Sequence, residues 1–108
     1  MSADENLSPS QFGFKQASYD DWDQALLSSR THLGRKPLRL NQDLHTAQDA
    51  IDPDAVREYA AQPRIRADHE IAVHHYGGKV FVGDGHHRIA AALSRGQKTI
   101  TATHYGVS

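Results

Sequence analysis

Apolar positions change their spacing along this chain, and the changes mark its elements. Trp22, Ala25, Leu26 and Ser29 fall on one helical face, with Asp20, Asp21 and Asp23 crowding the turn before them. Ser18 is placed to cap that turn, and the acids suit the positive end of the helix dipole. The spacing therefore predicts a helix over 19–31. Gly34 and Pro37 then bracket a basic turn, Arg35-Lys36, and Pro37-Leu38-Arg39-Leu40 alternates as a short strand. Asp52-Pro53 opens a second helix with an aspartate cap and a proline at the first helical position. Ala55, Val56, Tyr59 and Ala60 form its apolar face, and Gln62-Pro63 stops it.

Two apolar runs follow, Ile71-Ala72-Val73 and Val80-Phe81-Val82, separated by a turn holding Gly77-Gly78. That is a hairpin pattern, because paired glycines supply the positive φ angles of a tight turn. Ile89-Ala90-Ala91-Ala92-Leu93 predicts a buried helix over 86–95, ended by Gly96. The β-branched alternation of Thr99-Ile100-Thr101-Ala102-Thr103 predicts a last strand. Residues 1–17 show no period and read as a loosely ordered N-terminus. Residues 18–108 read as a single domain in the order α, β, α, β-β, α, β, an α+β fold.

The chain has 108 residues, enough for one modest core. No segment approaches a membrane span, and Met1 to Ser10 lacks the basic and apolar regions of a signal peptide. There is no cysteine, which excludes disulfides, thiolate metal sites and thiol nucleophiles and leaves the cytoplasm as the expected compartment. Charge is uneven: residues 1–56 hold five Lys/Arg and nine Asp/Glu, residues 57–108 seven and four. The C-terminal half is mildly basic, short of the footprint of a self-sufficient DNA binder. The acidic N-terminal half is a candidate surface for a protein partner.

The candidate chemistry gathers at Gly83-Asp84-Gly85-His86-His87-Arg88, where the hairpin hands over to the alanine-rich helix. A strand-to-helix turn flanked by glycines exposes backbone N–H groups, and the helix dipole adds partial positive charge. Such a turn suits an anion, above all a phosphate. Arg88 sits at the wrong end of its helix for the dipole, a conflict that a bound anion removes. Asp84 has two readings: N-cap of the helix, or a ligand-side group that orients a histidine, meets a ribose hydroxyl or holds a metal. His86 and His87 diverge by about 100° on a helix, so one faces the ligand and the other a neighbouring strand or solvent. His74 and His75 face opposite sides of a strand, and with His104 they show no metal-ligand spacing. No specific metal site is assigned. Tyr19 and Trp22 either join the core or stack a base. Arg64 and Arg66, with Arg35, Lys36 and Arg39, either track a phosphate backbone or form a solvated rim.

The run from Gly78 through Gly83-Asp84-Gly85-His86-His87-Arg88 to Ala92 resembles the ParB/sulfiredoxin superfamily, specifically the ParB-like N-terminal (ParB-like nuclease) domain. Leu44 to Gln48, Val56 to Tyr59 and Ile71 to Val73 fall in the order expected of that family, so the resemblance covers roughly 37–105. It implies a compact α+β fold with a mixed sheet, whose hairpin leads into a phosphate-binding helix N-terminus. Sulfiredoxin activity needs a cysteine in this turn, and the chain has none. Chromosome-partitioning relatives carry Gly-Glu-Arg-Arg where this chain has Gly85-His86-His87-Arg88, bind CTP, and continue into further domains not present in these 108 residues. Free-serine kinases of the family share the Asp-Gly-His-His-Arg turn and use an upstream carboxylate as base. Gln48 stands near that place, and Asp49 reaches it only with a shift of register.

The expectation from sequence is a domain that binds a nucleotide or nucleic-acid phosphate through Gly83, Gly85, His86, His87 and Arg88. Nuclease or nucleotide-hydrolysing chemistry would draw on His86, His87 and Asp84, with Gln48, Arg64 and Arg66 as auxiliary groups and Mg2+ as candidate cofactor. The competing readings are a free-serine kinase and a non-enzymatic adaptor or inhibitor of phage or mobile-element type.

Overall fold

The structure is a computed structural model that describes residues 6–61 and 71–107. Six strands form one mixed sheet in the order β1-β3-β5-β4-β6-β2. They are β1 (Phe14–Gln16), β2 (Thr31–Arg39), β3 (Leu44–Thr46), β4 (Ala72–Tyr76), β5 (Lys79–Asp84) and β6 (Thr99–Gly106). Three helices complete the α+β fold: α1 (Tyr19–Ser28), α2 (Pro53–Ala60) and α3 (His86–Ser94). No helix among the described residues is long and apolar enough to cross a membrane.

The parallel part of the sheet sets the site. β1 pairs parallel with β3, and β3 parallel with β5. All three strands therefore end at the same edge, and the chain next enters α1, α2 and α3 respectively. The crevice beyond the carboxyl ends of parallel strands is where open α/β sheets usually take ligands. β5 returns antiparallel against β4 through Gly77 and Gly78, both with positive φ.

Alternation assigns the faces. Val73, Val80 and Val82 join Leu38, Leu44, Ile89, Ala90 and Ala92 in one buried cluster under α2 and α3. On the opposite face His74 Nδ1 reaches the Ser29 carbonyl oxygen at 2.9 Å, just past the end of α1. Helix α1 is held there by the Trp22 Nε1–H, which donates to the Val82 carbonyl at 2.8 Å.

Several expectations are corrected. Arg35 and Lys36 lie inside β2, which runs from Thr31 against β6. Gly34, at φ 104°, serves a register shift in that pairing rather than a turn. Helix α1 stops at Ser28, because Thr31 already pairs with Gly106. The loose N-terminus does not hold for its described part. Leu7 bridges Ile51, Pro9–Phe12 form a 3-10 turn, and Phe14 is buried in β1. Tyr19 is 66% exposed, so it is not a core residue. The stop at Gln62-Pro63 lies outside the described residues.

Candidate functional site

The turn between β5 and α3 is built on glycine for two separate reasons. Gly85 has φ +94°, and a Cβ there would stand 2.7 Å from Ile71 Cγ1. A Cβ on Gly83 would stand 2.9 Å from His74 Nε2. The first position demands the left-handed region and the second demands clearance.

Gly85, not Asp84, is the N-cap of α3, and no side chain caps that helix. This corrects the capping role for Asp84. Its Oδ1 instead accepts from the Gly85 N–H at 2.8 Å, and the side chain stands exposed at the rim. The contrast with the other two helices is chemical. Ser18 Oγ accepts from the Asp21 N–H, and Asp52 Oδ1 from the Asp54 N–H. At α3 the N-cap is a glycine, and among the described residues no side chain accepts from the opening N–H groups of His86 and His87.

The two histidines diverge as expected. His86 is buried, 7% exposed, with its Nε2 2.5 Å from Thr46 Oγ1 and its ring 5.8 Å from that of Phe14. Burial pushes this imidazole down from 6.5 to about 4; nearby His87 adds to the drop and Asp84 opposes it. His86 is thus neutral at physiological pH and ties α3 to the end of β3. His87 is half-buried and accepts from the Asp52 N–H at Nε2, 3.1 Å away. That acceptor role places its ring hydrogen on Nδ1.

Arg88 lies with its guanidinium carbon 4.8 Å from the centre of the Tyr59 ring, and its Nη2 donates to the Tyr59 hydroxyl at 3.3 Å. The phenol holds the cation at the mouth of the cleft. The sequence placed Tyr59 on an apolar face; its hydroxyl, which requires a polar neighbour when half-buried, was the signal for this second role.

A cavity of about 230 Å³ opens here, lined by Gln48, Tyr59, Asp84, Gly85, His86, His87 and Arg88. Five of the six residues of the Gly83–Arg88 turn meet at it, and Gly83 lines an adjoining cavity. Gln48 reaches the site, whereas its neighbour Asp49 lines neither cavity. The Gln48 amide nitrogen donates to the Ala50 carbonyl at 2.6 Å. Among the described residues Asp84 is then the single carboxylate lining these two cavities. Arg64 and Arg66 lie outside the described residues. Among the described residues no three His, Asp or Glu side chains are grouped to hold a metal. His75 and His104 do meet, Nε2 to Nδ1 at 2.8 Å, but as a stacked pair on the β4–β6 pairing. Arg35, Lys36 and Arg39 lie on the edge strand β2 and line neither cavity.

No protein-family model, no curated protein and no solved structure matches this chain.

Proposed function

We propose that this cleft binds the phosphate of a nucleotide or nucleic acid, in the manner that the resemblance to ParB-like domains implies. One observation carries the reading: α3 opens into the cleft without a side-chain cap, and Arg88 stands on Tyr59 in the same cavity. The His86 and His87 N–H groups supply donors, the helix dipole supplies partial positive charge, and the guanidinium supplies a full one. The Gly85 N–H is already engaged by Asp84, so the anion meets the helix one residue further along.

His87 meets the phosphate as a hydrogen-bond donor: its Nε2 accepts from the Asp52 N–H, so the ring hydrogen on Nδ1 is presented to the anion, and taking up a proton at Nε2 would require that bond to break. His86 is committed to Thr46 and positions the turn. Asp84 fits as one protein oxygen for a magnesium ion, which takes its remaining oxygens from phosphates and water. That ion, when bound, would neutralise phosphate charge.

The free-serine kinase reading is weakened by Gln48, an amide where the upstream carboxylate would stand. Among the described residues Asp84 is the one carboxylate of the cleft, which favours a sensor that binds without turnover over the kinase. Calorimetric titration with ADP and with short DNA, with and without magnesium, tests the reading, with products followed by chromatography. Saturable nucleotide binding at micromolar to millimolar concentration supports it. No binding of either probe overturns it.

A further inference from the structure

We infer that the cleft takes a mononucleotide, with the base placed against Tyr19 and Trp22 and the phosphate at the start of α3. This rests on the phosphate reading above and extends it to a stretch, the start of α1, that lies outside the 37–105 resemblance.

A second cavity of about 290 Å³ adjoins the first and is lined by Tyr19, Trp22, Ala47, Gln48, Gly83, Asp84 and His86. Gln48, Asp84 and His86 line both cavities, so the two lie side by side, and the proposed ligand spans them as one trough. Each part alone falls below the roughly 300–1,000 Å³ of a typical small-molecule site, so a ligand of nucleotide size needs both. The two ends differ in chemistry. One has the cation and the uncapped helix start; the other has two aromatic rings.

Those rings are arranged to receive a plane. Trp22 is fixed by its Nε1–H bond to the Val82 carbonyl, so its ring is set before any ligand arrives. Tyr19 stands 5.7 Å from it, centroid to centroid, tilted by 41°. At that tilt the two rings are not stacked face to face. Tyr19, with Trp22 as its ring neighbour, is 66% exposed at the start of the helix, so most of its surface is open to a ligand. Every nucleobase has a π-face, so this platform tolerates base identity, while the Gln48 and Asp84 side chains between the two ends meet a sugar.

Trp22 is the one tryptophan of the chain, so its fluorescence reports on this end of the trough alone. Titrations use ADP, CDP, inorganic pyrophosphate and an oligothymidylate of eight nucleotides, read by calorimetry and by Trp22 emission, on the parent, Tyr19→Ala and Tyr19→Phe. The expected result is that ADP and CDP shift Trp22 emission and bind at least about fivefold tighter than pyrophosphate, the low end of one aromatic–base stack. Tyr19→Ala then loses that preference, Tyr19→Phe keeps it, and pyrophosphate binds all three chains alike. If pyrophosphate binds as tightly as ADP and Tyr19→Ala changes neither, the base subsite is wrong and the phosphate cup stands. If no probe binds, both readings fall. If the oligothymidylate binds more than tenfold tighter than ADP, the mononucleotide is the wrong occupant.

Discussion

His86 Nε2 and Thr46 Oγ1 meet at 2.5 Å across forty positions of sequence, fastening the first residue of α3 to the last residue of β3. The same hydroxyl accepts from the Gln48 N–H at 3.0 Å, so one threonine orders both walls of the cleft. Thr46→Val keeps the shape and removes both bonds. It is expected to cost about 1–3 kcal/mol, since a buried imidazole loses its partner. Urea unfolding measures this, and Thr46→Ser should recover most of the loss. A valine variant as stable as the parent would remove the fastening from the account.

The burial of His86 also fixes a pH dependence. Its folded value near 4 lies below the ordinary 6.5, so between those values the unfolded chain binds a proton that the folded chain does not. The stability from this group is fully present above pH 6.5 and is lost as pH falls towards 4. The loss amounts to at most about 3 kcal/mol. Burial lowers His45 and His75 as well, so they act in the same direction. Unfolding midpoints measured from pH 7 to pH 4 should fall in the parent and fall less in His86→Gln. Parallel curves for the two would contradict the assignment.

Two glycines with similar φ separate strain from collision. Gly85 and Gly96 both hold positive φ, +94° and +77°. A Cβ at Gly96 meets nothing within 4 Å, whereas at Gly85 it meets Ile71 at 2.7 Å. Gly96→Ala should cost only the left-handed strain, about 1–2 kcal/mol. Gly85→Ala should cost more, because Ile71 is buried and must shift. Equal denaturation midpoints for the two would show that the turn yields freely.

Much of the fold was legible where a period runs for a full element. The hairpin around Gly77-Gly78, the helix opened by Asp52-Pro53, helix α3 and the last strand all stand close to the residues that announce them. Strands β1 and β3 were not legible, since three residues each carry no measurable alternation. Their pairing comes from sheet contacts that no local pattern encodes. Arg35-Lys36 misled because a glycine before and a proline after look like turn signals. In the structure Gly34 absorbs a register shift, and Pro37 sits on the edge strand, where a missing N–H is harmless. At the site, the Gly83–Arg88 turn was legible in composition. The burial of His86, the hand-off of Asp84 to the Gly85 N–H and the role of Tyr59 were not, because each depends on which face of the sheet a neighbouring element covers.

The central claim is that the Arg88 end of the trough binds phosphate. Calorimetric titration of the parent, Arg88→Lys and Arg88→Ala with inorganic pyrophosphate at low ionic strength tests it most directly. The account predicts saturable binding by the parent, weakened about tenfold or more in Arg88→Ala, with Arg88→Lys between because it keeps charge but loses the fork. Pyrophosphate that binds all three equally, or binds none while each remains folded, would contradict it.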